Sequence, residues 1–592
     1  MTRFSELSHG LLVSLVLILP LLRLGWDQWA QTAVALMWSF LAGLGSLLVL
    51  LGRSGEFSRF ELFFRRWGLL LVAALGASVV SALLSPYPRS AFPAVPNDFV
   101  AFAFVLLGAG ISAVWRSRYV AALAGAGILA VLSVSLVGGG FAAGPLLNPN
   151  LLAALVILTA PVALEFCWGP KHRILWRIGF GVLIWGVFVS QSMAAYGAAL
   201  MQVLLAMGFL WMRKENKKKT FFLFLCGMGC FVVVGFFLTR AEWPKLFQGD
   251  SDRWTWGLTA VRTFAAHPIL GVGPGAFGEA YPVYRASPWG LNSLFAHNFA
   301  LEFFAERGIV GAGALFIFCG SLFLRAWKSV VRGGGTGLFL GLVGFCFFNL
   351  FHIGFSFPAL YWLFFFTAGL AGREEQMVRE SGQMPNEGLF SSVSSGRRDY
   401  PHRKVVAIIA LSLAVLVGLA SFALFRSDQS IARARVSLLE ERWEIAKERV
   451  ETGLFWNPWN SGLYELRAAV RLKTQDWDGA KTDLDRAVAL APSSAGLRAE
   501  SAELAIERGD VDHALREYET AVRLLPLKAA FWERWGDLLL GRGRSDDANR
   551  AYDGALRALS DPRVLGGNAE RRAEWTKRVA EKKQGLANAS KN

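Results

Sequence analysis

Apolar and polar positions divide the chain into two regimes that meet near residue 426. Before it, apolar residues gather into runs that suit membrane helices, each of which needs about 20 residues to cross a bilayer. Runs at 10–26, 30–51, 67–84, 99–115, 119–137, 149–167, 174–191, 194–212, 220–239, 308–326, 335–351, 356–372 and 405–425 predict a polytopic helical bundle of about 12–13 spans. The first run follows Arg3 and has the look of a secretory signal, but no small-x-small cleavage site precedes the second run, so it is read as a retained helix. Two polar stretches interrupt the series, a loop at 240–307 and a linker at 373–404. After 426 the chain becomes rich in Ala, Glu, Arg, Leu and Asp, which predicts a helical module over 427–562 and a polar helical tail over 563–592. The expected fold class is therefore all-α, a membrane bundle followed by a helical module.

Composition agrees. Hydrophobic residues make up 54% of the 592-residue chain and charged ones 18%, against roughly 25% charged in soluble domains. The net charge of +16 could suggest nucleic acid. Its placement argues otherwise, because Lys and Arg collect in loops after even-numbered spans: Arg53 to Arg66, Arg116 and Arg118, Lys171 to Arg177, Arg213 to Lys219, Arg325 to Arg332, and Arg373 to Lys404. The short loops after odd-numbered spans are nearly bare, Arg89 being the exception. The bias puts the N-terminus inside, and the 240–307 loop and everything after 426 outside. The five cysteines lie in or beside apolar runs without a CxxC pair, which supports neither a disulfide framework nor a zinc site. No cofactor and no metal are expected.

Beyond 426, Pro458, Pro492 and Pro526 recur every 34 residues. Ala446, Ala480, Ala514 and Ala548 keep the same period, as do Gly453, Ala487, Ala521 and Ala555. A period of 34 with small residues at helix crossings and a closing proline resembles the tetratricopeptide repeat. The resemblance implies an α-solenoid, whose stacked helix pairs share a core and present a surface for a protein partner. Several tryptophans, among them Trp456, Trp459, Trp532 and Trp535, serve either that core, sugar stacking, or packing against the membrane part.

The polar loop contains GPGAFG, Gly273 to Gly278, a match to the G-x-G-x-x-G dinucleotide pattern. That pattern carries meaning only between a strand and a helix, and neither a strand nor a βαβ unit is expected here. Its glycines instead suit a tight path where backbone comes close to substrate.

The loop's longer motifs say more. HPILGVGPGAF and then AHNFALEFFAERGIVGAG, together with upstream GPLLNPNLL (Asn148, Asn150) and LLSPYP, resemble the O-antigen ligase/polymerase superfamily over residues 65–372. That superfamily includes lipopolysaccharide O-antigen ligases, Wzy-type polymerases and bacterial O-linked protein oligosaccharyltransferases. An added repeat module resembles the layout of the last group. The resemblance implies a bacterial inner-membrane enzyme of cell-surface polysaccharide biosynthesis or protein O-glycosylation. It would move a glycan from an undecaprenyl-diphosphate carrier to an acceptor hydroxyl on lipid A-core, glycan or protein. A diphosphate leaving group calls for cations, and Arg253, Arg262 and Arg285 are available; arginine meets phosphate in a bidentate fork. Arg253 matches the family's loop arginine best. The acceptor must lose a proton, and His297 is the expected base, since an imidazole titrates near working pH. Asn298 follows it. His267 either closes a helix C-terminus or binds substrate, and Glu306 either orients His297 or marks a helix end beside Arg307. One departure stands out: the turn SQSMAAYG carries Met193 where relatives have an arginine.

Two other classes fit parts of the sequence. A non-catalytic envelope scaffold would use the repeats to bind proteins, and Met193 favours it. A transporter would need intramembrane ionisable groups, of which Glu165 is the chief one apparent.

Overall fold

A computed structural model describes residues 57–111, 113–136, 148–167, 172–212, 251–331, 334–372, 401–561 and 569–589, with Val13, Ser14 and Val16. The expected spans at 30–51 and 220–239, nearly all of 10–26, and most of the 373–404 linker lie outside the described residues.

Among the described residues the chain is helical, with no strand. The membrane part contains α1 (Phe57–Leu83), α2 (Pro88–Gly110), α3 (Ala113–Leu136), α4 (Pro149–Phe166), α5 (Arg173–Ser190) and α6 (Met193–Met212). After the loop helices α7 (Ser251–Ala266) and α8 (Phe277–Tyr284) come α9 (Phe299–Val331), α10 (Thr336–Asn349) and α11 (Pro358–Gly372). Five segments, Pro88–Ala109, Trp115–Leu136, Pro149–Phe166, Arg173–Ser190 and Phe299–Val331, are long and apolar enough to cross a membrane, while α6, α10 and α11 are apolar but shorter. This is a multi-pass membrane protein.

The helices pack through small residues that let backbones approach. A β-carbon on Gly108 of α2 would stand 2.4 Å from the Phe366 carbonyl oxygen, and one on Gly369 of α11 would stand 2.3 Å from that of Val105. On the α4–α10 crossing, a β-carbon on Gly341 would lie 2.3 Å from the Leu158 carbonyl oxygen. Glu165, the acidic residue noted in the spans, accepts the Gly337 amide at 2.5 Å and so caps α10. It is itself exposed, and the buried charges of this part are instead Asp98, Glu302, Glu306 and Arg307.

The span expected from 308 begins earlier, because the helical path runs from Phe299 across a kink at Gly308 (φ 61°, ψ −170°). The last span shows the opposite difference. Hydropathy falls near 426, yet α12 (Pro401–Leu439) continues unbroken into the repeats. Helix formation needs no apolar surround, so composition changes along this helix while its backbone does not.

The repeat helices follow the expected period. Helices α13 (Trp443–Trp456), α15 (Trp477–Leu490), α17 (Val511–Leu524) and α19 (Ser545–Ser560) begin 34 residues apart, as do α14 (Ser461–Lys473), α16 (Ala495–Glu507) and α18 (Ala529–Gly541). Ala446, Ala480, Ala514 and Ala548 are each fully buried at the crossings. One periodic feature is conformational: Glu441, Gln475, Gly509 and Gly543 all take positive φ, ending each first helix of a pair in a left-handed turn. A polar helix, α20 (Ala569–Ala589), covers the last pair; its Arg578 and Lys582 bond Glu533.

Candidate functional site

The loop is built on the kink of α9. The extended segment after α7 runs beside it: Val272 N donates to Ala305 O at 3.0 Å, Gly273 N to Glu306 O at 2.9 Å, and Ile309 N to Pro268 O at 2.8 Å. Such pairing needs two bare backbones. A β-carbon on Gly308 would stand 2.2 Å from Ile269 O, and one on Gly271 would stand 2.2 Å from Glu306 C. The glycines of this stretch meet α9 at Gly271, and Ser85 of the α1–α2 turn and Ala91 and Ala94 of α2 at Gly273 and Gly275.

Beneath the kink lies a buried ion cluster. Arg307 bonds both carboxylate oxygens of Asp98 at 3.1 and 3.2 Å and Glu306 Oε2 at 3.0 Å. Ser78 and Tyr361 donate to the same Asp98. Glu306 Oε1 accepts the Phe277 amide at 3.3 Å, so this residue holds the end of GPGAFG rather than His297. The cluster ties α1, α2, α9 and α11 together under the loop. An ionised group removed from water is tolerable only with partners of this quality.

His297 sits where the loop enters α9. Its φ of 55° is left-handed, a conformation that costs an ordinary residue about 1–2 kcal/mol. Its ring stacks on Trp256 at 4.6 Å. Trp256 lies three residues after Arg253 on α7, hence on the same helical face. Asn298 caps α9 through Leu301 N at 3.1 Å and donates to Leu350 O at 3.1 Å. That second bond brings up the α10–α11 connection and with it His352, which is 6% exposed and stacks on Phe348 at 4.7 Å. Burial, then the charges of Arg253 and His297, push the His352 imidazole down to about 3. It is a neutral ring within electrostatic reach of the expected base, His297, and the expected diphosphate ligand, Arg253. Nothing in the sequence pointed to it beyond a lone histidine in NLFHIGFS.

The other expected residues lie elsewhere. Arg262 is nine residues beyond Arg253, roughly 13 Å along the helix axis, and its guanidinium donates to Arg285 O at 3.1 Å. Arg285 reaches the repeats: it donates to Leu524 O of α17 at 2.6 Å, to Asn292, and to Pro288 O at 3.4 Å. Burial pulls its guanidinium below the usual range, opposed by Tyr281. Next to it, Trp289 stacks on Trp532 at 5.7 Å and lies under Arg557 at 4.3 Å. His267 closes α7 and pairs with the Tyr284 hydroxyl at 2.7 Å. Burial raises the Glu279 carboxyl, while the Ser90 hydroxyl bond and then Arg89 lower it. Among the described residues, no three His, Cys, Asp or Glu side chains gather as a metal set.

Residues 178–317 match the O-antigen ligase family model, Wzy_C. The chain carries an O-antigen ligase domain. The matched segment runs from α5 through Met193, Arg253 and His297 into α9; Asp98, His352 and the repeats fall outside it. That domain supports a membrane glycan transferase in general. Solved structures similar to part of the chain include MamA (17% identity over 22% of this chain and 77% of that one, TM-score 0.21). Another is YrrB, described as a TPR protein with an unusual peptide-binding site (19% identity, 30% and 84%, TM-score 0.21). No curated protein sequence matches the chain.

Proposed function

We propose that this domain transfers a glycan from an undecaprenyl-diphosphate carrier to an acceptor hydroxyl, at the outer face of a bacterial inner membrane and without a metal. The observation that carries the reading is the single face shared by Arg253, Trp256 and His297 within the family-matched segment. His297 takes the acceptor proton as the hydroxyl oxygen bonds the anomeric carbon. The carbon–oxygen bond to the diphosphate breaks, and undecaprenyl diphosphate leaves with the electron pair. Arg253 offsets the charge on that leaving group. Contacts of the loop with the repeats, through Arg285 and Trp289, support placing both on one side of the membrane. The acceptor is a lipid A-core, a glycan or a protein, and the repeats favour a protein.

Transfer of a labelled undecaprenyl-diphosphate oligosaccharide by the purified chain tests this. His297→Ala is expected to lose roughly 10²–10⁴-fold in kcat, and an unchanged rate removes His297 as the base. A second reading rests on Met193, which opens α6 where an arginine is expected. It makes the chain a scaffold, and it prevails if no acceptor is glycosylated while the repeats still bind an envelope protein.

A further inference from the structure

The left-handed turn at His297 is held from a residue outside the expected set. Glu302 lies in the first turn of α9, where the helix dipole favours a carboxylate. Its Oε2 accepts the Ala296 amide at 2.8 Å, the peptide group immediately before His297. Its Oε1 accepts the Ser356 hydroxyl at 2.8 Å, in the connection that also carries His352. Ala296 and Glu302 are both buried, so water does not compete for these bonds. One carboxylate thus joins the two segments that bring histidines to the site.

We propose that Glu302 is the positioning residue of this site. It fixes the turn that aims the His297 ring, and it acts through the Ala296 amide rather than on the ring itself. The inference rests on reading His297 as the base, and its test separates the two ideas.

Full-length Glu302→Ala, Glu302→Gln and His297→Ala are compared with wild type. Hydrogen exchange over Ser293–Asn298 reads the turn without reference to activity. In Glu302→Ala the protection there is expected to fall about five- to tenfold, the value of one buried hydrogen bond. In Glu302→Gln it stays within about twofold, because the amide oxygen still accepts from Ala296 and the amide nitrogen donates to Ser356. Unchanged exchange in Glu302→Ala overturns the proposal. So does equal loss in both variants, which would mean that charge matters and geometry does not.

Transfer from a labelled undecaprenyl-diphosphate trisaccharide is measured in parallel, with lipid A-core extract, an oligosaccharide and a serine peptide offered as acceptors. Glu302→Ala is expected to lose about 10²-fold in kcat with donor KM within about threefold, and Glu302→Gln to recover most of it. A loss confined to KM contradicts positioning. Wild-type transfer by His297→Ala ends the base reading alone, and the exchange data still decide whether Glu302 holds the turn. If Glu302→Ala does not fold, Glu302→Asp, one methylene short of Ala296, carries the same expectation.

Discussion

The two ends of the extramembrane loop use the same residue types for different work. At the end near α9, Arg253, Trp256 and His297 share a face, with neutral His352 close by. At the far end, Arg285 and Trp289 are spent on the repeats, bonding Leu524 and stacking on Trp532. An arginine in a loop facing a diphosphate substrate invites assignment as a phosphate ligand from its chemistry alone. What separates Arg285 from Arg253 is where each lies: Arg285 bonds Leu524 of the repeats, while Arg253 lies on the α7 face whose Trp256 stacks on His297.

The largest expected effect concerns the floor beneath both ends. Asp98→Ala leaves Arg307 buried without its main partner and is expected to cost about 3–5 kcal/mol, read by thermal unfolding in detergent. A loss below about 1 kcal/mol would mean that the cluster is wet and does not anchor the loop.

Next is the acid behaviour of His352. Its folded value lies near 3, below the ordinary 6.5, so the unfolded chain takes up a proton that the folded chain refuses. Stability from this group is complete above about pH 6.5 and declines as pH falls toward 3, by about 2 kcal/mol between pH 6.5 and 5. His352→Gln is expected to flatten that part of the profile, and an identical slope in the variant contradicts the burial argument. Trp289→Ala should be milder, about 0.5–1.5 kcal/mol of loop–repeat docking, seen as faster hydrogen exchange over 285–292 with transfer largely kept. The smallest effect lies within the repeats. Asp510 caps α17 through His513 N at 3.0 Å, and its replacement by Ala should cost about 1 kcal/mol.

The sequence made much of this legible, for reasons that differ by region. Spans announce themselves because a bilayer demands long apolar runs, and the described membrane helices overlap those runs while differing in their ends, as at Pro88 of α2 and Phe299 of α9. The repeats announce themselves because one geometry recurs, down to the left-handed turn at Glu441, Gln475, Gly509 and Gly543. The loop's motif was visible, but its internal assignments were not. Asp98 meets Arg307 across 209 positions and Arg285 meets Leu524 across 239. Neither pairing has a period or a local pattern to betray it. Glu302 was hidden differently, standing in plain view inside AHNFALEFFAERG beside the more conspicuous Glu306. Only the backbone path shows that Glu302 grips the turn at His297 while Glu306 grips the turn at Phe277.

The division of the loop is tested most directly by glycan transfer from a labelled undecaprenyl-diphosphate oligosaccharide, with Arg253→Ala and Arg285→Ala measured side by side. The expected result is a loss of about 10²-fold or more for Arg253→Ala, against a change within about fivefold for Arg285→Ala, whose loss falls on docking worth about 1 kcal/mol. Equal losses in the two variants, or a larger one for Arg285→Ala, would contradict the assignment of chemistry to one end of the loop and docking to the other.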